Sequence, residues 1–385
     1  MTEEFTEIGH SGGTITFRFE TGPDGRRGYS VAMRHSRPVP MSMTALYALF
    51  NGIPVGNLTL GGIGYVSEPP PFSGCFPVYI TSDSQGKFGH DCPRCKQYWR
   101  SGASPSICPY CGLRGHGYQF LSNAQRKFVR LYCELLCKAE EAAEDAVIEI
   151  DMNEVAEAVG KGEKPAFYVS EKSQQRKFTC TACGEFNDIL GRFGYCSLCG
   201  TRNDIAEFEA VTIPAIRNRL NADALPQDCV RDAVAAFDSL AAQYAKQLAL
   251  RIPLMPERQL RLTSQAFHKL AEIRLTFNNW FGIDISKGMK EPECAKVSRM
   301  FFRRHVYEHN GGEVDQKYID ESGDGSVSLK QSIRETKEDA HELLGSLVKM
   351  ARNLHVGFHC LIPPLDEPIK YEQDKKKRIS DWAKQ

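Results

Sequence analysis

No apolar stretch in this sequence approaches the roughly 20 residues that a membrane-spanning helix requires, so no membrane partner is expected. The first residues, MTEEFTEIGHSGG, are acidic and polar and lack the pattern of a secretory signal, which predicts a cytoplasmic protein. Net charge is absent as well, because 48 basic residues balance 48 acidic ones. Bulk charge therefore predicts no particular partner.

Cysteine, by contrast, is abundant, with 14 among 385 residues. In a chain without a signal peptide, this abundance favours metal ligation over disulfide bonds. The hydrophobic fraction of 42% is sufficient for a buried core. The length predicts two or three domains.

Eight of the cysteines form two clusters with one spacing. Each cluster has two C-x-x-C pairs separated by twelve residues, in CPRCKQYWRSGASPSICPYCG and CTACGEFNDILGRFGYCSLCG. The eight cysteines are Cys92, Cys95, Cys108, Cys111, Cys180, Cys183, Cys196 and Cys199. Four thiolates bind Zn²⁺ tetrahedrally and leave no position open for a substrate, so the pattern predicts two zinc ribbons with two structural zinc ions. Gly112 and Gly200 follow the second pairs, where a tight turn favours a residue without a Cβ.

Charge is unevenly distributed around the first cluster, which His90 and His116 flank as alternative ligands. Residues 86–130 hold eight lysines and arginines against one acid, whereas residues 131–160 hold nine acids against one lysine. A basic segment of this kind indicates contact with nucleic acid, and the alternative is a pair of solvated faces without a partner. The candidate nucleic-acid-binding residues are Lys96, Arg100, Arg114 and Arg303.

The rest of the sequence divides into a β-rich and a helical part. Apolar and polar residues alternate around the turn Gly22-Pro23-Asp24-Gly25, which is typical of a β-hairpin. Beyond residue 205, apolar residues recur at steps of three and four, which predicts amphipathic helices in an antiparallel bundle. The predicted fold class is therefore multidomain α+β. Its domains are a β-rich N-terminal module (1–85), zinc ribbon 1 (86–118), a helical connector (119–165), zinc ribbon 2 (166–204), the helical bundle (205–362) and a charged tail (363–385).

Four long helices account for the predicted bundle. The first carries an apolar stripe and should end at Pro253 and Pro256. The second should begin near Thr263 and the third near Pro292, and the fourth should carry Ile333 and the apolar residues that follow it. The third of the four runs into the most polar stretch of the helical part.

That stretch is FFRRHVYEHNGGEVDQKY, residues 301–318. Arg304 and His309 stand at R-x4-H spacing, with His305 between them and Gly311-Gly312 directly after. Cleavage of RNA without a metal requires a base for the 2′-OH and an acid for the leaving 5′-oxygen, and histidine can supply both near neutral pH. It also requires a cation beside the phosphate, which a guanidinium provides.

Together with the apolar VSRMFF before it and NGGEVDQKY after it, this motif resembles the signature of HEPN domains, helical bundles that often act as ribonucleases. The resemblance covers about residues 209–360. It implies a metal-independent endoribonuclease with Arg304, His309 and His305 in its active site, and a 2′,3′-cyclic phosphate as its product. It further implies RNA as the partner and a role in bacterial antiviral defence or a toxin-like system, with a possible regulatory or defence-system protein.

The same resemblance implies that Arg304 and His309 of two protomers meet across a homodimer or a higher oligomer. Helix geometry agrees, since five residues turn by about 500° and the two side chains therefore do not share a face of a regular helix. Either the helix frays before Gly311, or a second chain completes the site.

Two other interpretations fit the same residues. HVYEH is an H-x-x-E-H string in which His305 and His309 share a face and Glu308 is a general base, as in inverted zinc peptidases. That reading needs a third ligand, for which the candidates are Glu335, Glu338 and Glu342. Alternatively, Arg and His side chains oppose the helix dipole and Gly-Gly ends the helix, so that an inactive HEPN-like bundle binds RNA or protein.

Overall fold

The computed structural model describes residues 5–7, 13–34, 42–58, 70–83, 85–141, 145–151, 154, 169–171, 175–264, 267 and 269–384. In these residues the protein is a mixed α+β structure with small antiparallel sheets. The chain divides into two compact units, one formed by Met1–Gly200 with Leu365–Gln385 and the other by Thr201–Pro364. No helix in the described residues is both long and apolar enough to cross a membrane.

The described strands all belong to the first unit. They are β1 (Phe5–Glu7), β2 (Thr14–Thr21), β3 (Arg27–Arg34), β4 (Met43–Leu49), β5 (Pro54–Leu58), β6 (Cys75–Thr81), β7 (Phe88–Asp91), β8 (Tyr98–Ser101), β9 (Ala146–Asp151), β10 (Val169–Glu171), β11 (Gln175–Thr179) and β12 (Phe186–Leu190). They pair in the orders β1-β10, β3-β2-β9, β5-β4-β6 and β11-β12-β8-β7. The helices of this unit are α1 (Asn123–Glu141) and, near the C-terminus, α10 (Asp366–Trp382).

The predicted hairpin is formed by β2 and β3, which pair from Thr14 opposite Arg34 to Thr21 opposite Arg27. Every second residue of β2 points inward, so that Phe17 is fully buried. Helix α1 packs against β2, β4, β6 and β9 through one apolar side and completes this core.

Two segments of this unit differ from the expected domain layout. The connector 119–165, predicted to be helical, contains strand β9 after α1, and β9 pairs with β2 because Ile148 and Ile150 alternate with polar residues and pack on the same core. The charged tail 363–385 contains helix α10, which the sequence did not predict. Its helical form is consistent with a row of i, i+3 and i, i+4 ion pairs between Glu372 and Lys375 or Lys376.

The second unit is helical in its described residues. Its helices are α2 (Asp204–Glu207), α3 (Ile213–Asn221), α4 (Pro226–Arg251), α5 (Pro256–Ser264), α6 (Leu270–Phe281), α7 (Glu291–His309), α8 (Gln316–Ser322) and α9 (Lys337–Leu361). Helix α4 is central and packs against α7 and α9. The predicted stripe of α4 is buried, namely Val230, Val234, Phe237, Leu240, Tyr244 and Leu248.

Three helix boundaries differ from those expected. Pro256 begins α5 instead of ending α4, because a proline in the first turn replaces an N–H that has no partner within the helix. Helix α6 begins at Leu270 rather than near Thr263. Helix α9 begins after Thr336, whose side chain accepts a hydrogen bond from the N–H of Asp339 and so caps the helix.

Candidate functional site: two cysteine ribbons and a polar helix end

The first cysteine cluster is assembled by the β7–β8 hairpin and the loop after it. The Sγ atoms of Cys92 and Cys111 lie 3.6 Å apart, and those of Cys95 and Cys108 lie 3.7 Å apart. All four sulfurs lie within 4.8 Å of one another. Four sulfurs about 2.3 Å from a central zinc ion form a tetrahedron with edges of about 3.8 Å, so the spacing fits a closed thiolate site.

The second cluster repeats this geometry in the β11–β12 hairpin and the loop after it. The Sγ atoms of Cys180 and Cys199 are 3.7 Å apart, and those of Cys183 and Cys196 are 3.5 Å apart. All four cysteines are buried. The two predicted Cys₄ groups are therefore both present, at distances that allow metal binding.

The backbone around the clusters explains their glycines and histidines. Gly112 and Gly200 have φ angles of 64° and 83°, which a residue without a Cβ adopts at little cost. The Nε2–H of His90 donates to the carbonyl of Gly102 at 2.9 Å, and burial lowers the pKa of His90 to about 4. Neither His90 nor His116 belongs to a metal-binding group among the described residues.

The two ribbons share one sheet, because β8 of the first pairs with β12 of the second. Two backbone hydrogen bonds at equivalent positions join the second C-x-x-C segments of the two ribbons. The N–H of Ile107 donates to the carbonyl of Ser197 at 2.9 Å, and the N–H of Tyr195 donates to the carbonyl of Pro109 at 2.8 Å. The ribbons are thus related by an approximate two-fold axis.

Arg100 and Asp188 lie opposite each other on this axis. They are 88 positions apart in the chain and occupy the same place in the two ribbons. The Nη1 of Arg100 donates to Asp188 at 2.6 Å, its Nε donates to Asp83 at 2.8 Å, and its Nη2 donates to Gln85 at 3.1 Å. Burial raises the pKa of Asp188 even though Arg100 opposes that shift.

The polar end of the third predicted helix is the end of α7, which stays helical through His309. The Nη2 of Arg304 donates to Oε2 of Glu308 at 3.1 Å, and the Nε2 of His309 lies 4.0 Å from the same oxygen. The ring centroids of His305 and His309 are 4.5 Å apart. One carboxylate therefore stands between the arginine and the histidine within a single protomer, without fraying of the helix.

Electrostatics distinguishes the two histidines. Partial burial lowers the pKa of His305, and the neighbouring His309, Lys317 and Arg304 lower it further, whereas Asp315 raises it. These surroundings favour the neutral imidazole of His305. The side chain of His309 is 60% exposed and that of Arg304 is 13% exposed, so the histidine is the more accessible of the pair.

Arg303 points the other way, into the helical unit. Its Nη2 donates to Asp324 at 2.9 Å, and its Nη1 donates to both carboxylate oxygens of Glu335 at 3.1 Å. Tyr318 donates to Asp324 at 2.6 Å and closes the network. These contacts fasten the loop between α8 and α9 to α7.

The four predicted nucleic-acid contacts thus separate into two pairs. Lys96 and Arg114 are exposed and accessible to a phosphate. Arg100 and Arg303 are buried and ion-paired, so neither guanidinium faces solvent as that prediction requires. Counting charges along the sequence could not distinguish the two pairs, because a buried arginine and an exposed arginine add the same charge to the count.

A third ligand for the H-x-x-E-H string does not appear. Among the described residues, the groups able to hold a metal are the two cysteine clusters. Of the candidate third ligands, Glu335 binds Arg303 and Glu342 pairs with Lys296.

Helix α10 forms a cover over the second ribbon. The N–H of Leu365 donates to the carbonyl of Cys199 at 2.7 Å, and Ile369 packs on the cysteine cluster. A Cβ at Gly184 would lie 3.0 Å from Cδ of Glu372. The sequence signal for this contact is small, two apolar residues four positions apart ahead of a polar segment.

The comparisons with protein-family models, with curated proteins and with solved structures find no match to this chain.

Proposed function

We propose that the protein is a metal-independent endoribonuclease whose helical unit is a HEPN-like bundle with Arg304, His305 and His309 in its active site. The observation that supports this best is the end of α7, where the guanidinium of Arg304 and the imidazole of His309 approach one carboxylate at 3.1 Å and 4.0 Å. A role in antiviral defence or a toxin-like system, and a regulatory partner, belong to the same proposal through the resemblance.

The chemistry requires two proton transfers. The 2′-oxygen attacks the adjacent phosphorus and gives its proton to a base, while an acid protonates the departing 5′-oxygen and leaves a 2′,3′-cyclic phosphate. In a dimer, His309 of one protomer is the base and the His309 of its partner is the acid. Arg304 balances the charge that accumulates on the phosphate. His305, whose pKa is lowered by partial burial, orients the site.

Glu308 gives this site a resting state. Because its carboxylate pairs with Arg304 in the protomer, an RNA phosphate must compete with it for the guanidinium. The Glu308→Gln variant lacks the negative charge that competes for Arg304 and should keep most of the RNA cleavage activity. A peptidase that used Glu308 as its general base would lose its activity.

The two Cys₄ groups hold two structural zinc ions in this proposal. Elemental analysis should return about two zinc ions per protomer. A value near one would mean that one ribbon is empty, and a value near three would revive the peptidase.

The decisive experiment incubates the purified full chain with total RNA, with and without brief EDTA treatment. Cleavage should persist after EDTA, and the fragments should carry 2′,3′-cyclic phosphate ends. Arg304→Ala and His309→Ala should each reduce the rate by roughly 10²–10⁴, and His305→Ala should reduce it less. Stability should change by at most about 1 kcal/mol, because only a partly exposed ion pair is lost.

Matched controls come from the same unit. Arg334→Ala removes an exposed arginine and His341→Ala removes a histidine of α9, and neither residue contacts the α7 end in any recorded hydrogen bond or ion pair among the described residues. Both variants should cleave RNA at the wild-type rate. Equal losses in the controls and in the α7 variants would contradict the assignment.

Assembly gives an independent test. Light scattering should return at least twice the 43.1 kDa mass of one chain, since the site is composite. A strictly monomeric protein that cleaves RNA would exclude the composite site.

A catalytically silent RNA- or protein-binding module is the second candidate. The pairing of Arg304 with Glu308 favours it, because the guanidinium is already neutralised in the protomer. It would be the correct function if the wild type cleaves no RNA while Arg304→Ala weakens binding of RNA or of a protein partner.

A further inference from the structure

The N-terminal half of helix α10 lies against the second ribbon. Leu365, just before the helix, and Ile369 contact the ribbon, and Glu372 faces Gly184. Every described residue from Gln373 onward is exposed. Two large aromatic side chains stand in solvent on this helix, Tyr371 with 66% and Trp382 with 79% of its surface exposed. Each exposed ring offers a flat apolar face on which an unpaired base can stack.

The exposed aromatic residues line up with basic ones. At about 100° per residue, Tyr371, Lys375, Arg378 and Trp382 fall within about 60° of each other around the helix axis. They extend over about 16 Å of helix. Asp374 and Asp381 lie outside this sector, so the stripe carries positive charge without an intervening carboxylate.

The stripe is exposed over most of its length, and Tyr371 and Lys375 at its start line the same cleft as Gly184 of the second ribbon. Glu372, which would meet a Cβ on Gly184, projects roughly 90° from the centre of the stripe. Lys375 has one neighbouring carboxylate, that of Glu372 at 3.6 Å. Arg378 has no ion pair with any residue that the structure describes, and its guanidinium is exposed.

We propose that this stripe, Tyr371, Lys375, Arg378 and Trp382, binds single-stranded RNA. Aromatic faces stack on unpaired bases of any sequence, and cations between them contact the phosphates. Charge complementarity favours this ligand, because Arg378 has no ion pair among the described residues and a phosphate would supply its counter-charge. The inference rests on RNA as the substrate of the proposed nuclease, but it concerns binding and requires no cleavage.

The test measures fluorescence anisotropy of the full chain with a labelled, unstructured RNA in which every ribose is 2′-O-methylated. Blocking the 2′-oxygen prevents cleavage, so binding is read alone. Tyr371→Leu and Trp382→Leu keep apolar surface but remove the ring, and each should weaken binding by roughly 5- to 150-fold. Zinc content and melting temperature should stay at wild-type values, since both side chains are in solvent.

A charge pair and its control test the phosphate contacts. Lys375→Gln with Arg378→Gln should reduce the slope of log affinity against log salt by about 1.4, the value expected for two single-strand phosphate contacts. Lys370→Gln with Lys377→Gln removes the same charge from the other side of α10 and should leave affinity within about two-fold of the wild type.

Three outcomes would overturn the inference. The first is that the two glutamine pairs have equal effects, and the second is that the leucine variants bind RNA as the wild type does. The third is that the protein binds phosphatidylserine vesicles and not RNA. The nuclease proposal fails separately. If the stripe binds RNA but the protein cleaves none, the inference stands and the nuclease proposal fails. If the protein cleaves RNA while the stripe variants bind RNA with wild-type affinity, the nuclease proposal stands and the inference fails.

Discussion

The two ribbons have the same ligand spacing and nearly the same backbone, yet they differ in how deeply they are buried. In the first ribbon Cys95 and Cys111 are partly exposed, and the Nη2 of Arg94 donates to the carbonyl of Cys111 at 2.7 Å. In the second ribbon all four cysteines are buried and α10 adds a cover. The same cysteine motif is thus partly exposed in the first ribbon and buried in the second.

The ribbons are also complementary where they meet. Equivalent positions carry Arg100 in one and Asp188 in the other, so the sheet joins a positive charge to a negative one on its two-fold axis. Two copies with the same residue would bury like charges. The opposite residues therefore favour pairing between the two ribbons over pairing of either ribbon with itself.

The largest effect should come from removing one ligand. Zinc binding contributes about 10–16 kcal/mol to small thiolate sites, so Cys92→Ser or Cys180→Ser should unfold its ribbon. Because Ile107 and Tyr195 tie the second C-x-x-C segments together, we expect either variant to lose zinc from both sites. Elemental analysis should then give less than one zinc ion per chain. A stable variant with one full equivalent would show that the ribbons are independent modules.

The next largest effect should come from breaking the charge pair on the axis. Arg100→Ala removes the guanidinium that the buried carboxylates of Asp83 and Asp188 share, which should cost about 3–5 kcal/mol. The measurement is denaturant unfolding of the zinc-loaded protein, followed by a probe in the first unit. Arg114→Ala is the control, since Arg114 is exposed, and it should change stability by at most about 0.5 kcal/mol. If Arg100→Ala and Arg114→Ala lower the free energy of unfolding equally, the charge pair of Arg100 at the two-fold axis does not stabilise the first unit.

Parts of this comparison were accessible from the sequence. The spacing of the eight cysteines predicted both clusters, because a C-x-x-C turn fixes its sulfurs locally. The spacing could not predict that the ribbons share a sheet, since strand pairing across 88 positions depends on Arg100 and Asp188 meeting in space. The cover formed by α10 was missed for the same reason.

In the helical unit, too, some features could be predicted from the sequence and others could not. The stripe of α4 was predictable from its three- and four-residue steps, whereas Pro256 was assigned to a helix end although it begins α5. Glu308 was considered only as a general base, because a sequence does not show that its carboxylate lies between Arg304 and His309. The R-x4-H assignment itself stays a prediction.

A smaller difference should appear in the kinetics of zinc removal. Cys95 and Cys111 are partly exposed, which gives a chelator access to the first ribbon, whereas all four cysteines of the second are buried. A colorimetric chelator should therefore take zinc from the first ribbon in a fast phase, and the second ribbon should lose its zinc only after the first is empty. Alkylation followed by mass spectrometry should label the cysteines of the first ribbon in the fast phase. A fast phase that labels Cys180 and its neighbours would reverse the comparison.

The smallest expected effect concerns one turn position that the two ribbons fill differently. Lys96 and Gly184 are equivalent, with φ angles of 59° and 74°. Lysine is strained there, so Lys96→Gly should stabilise the first unit by up to about 1 kcal/mol.

Gly184→Ala is the matched opposite change. The left-handed backbone alone should cost about 1–2 kcal/mol, and the new Cβ would lie 3.0 Å from Cδ of Glu372 in α10. For a unit of this size, each kcal/mol corresponds to about 2–4 °C in melting temperature, which calorimetry resolves. If Gly184→Ala proves as harmless as Lys96→Gly, α10 does not rest on the second ribbon as closely as its contacts indicate. The difference in burial between the two ribbons would then have to come from their own loops.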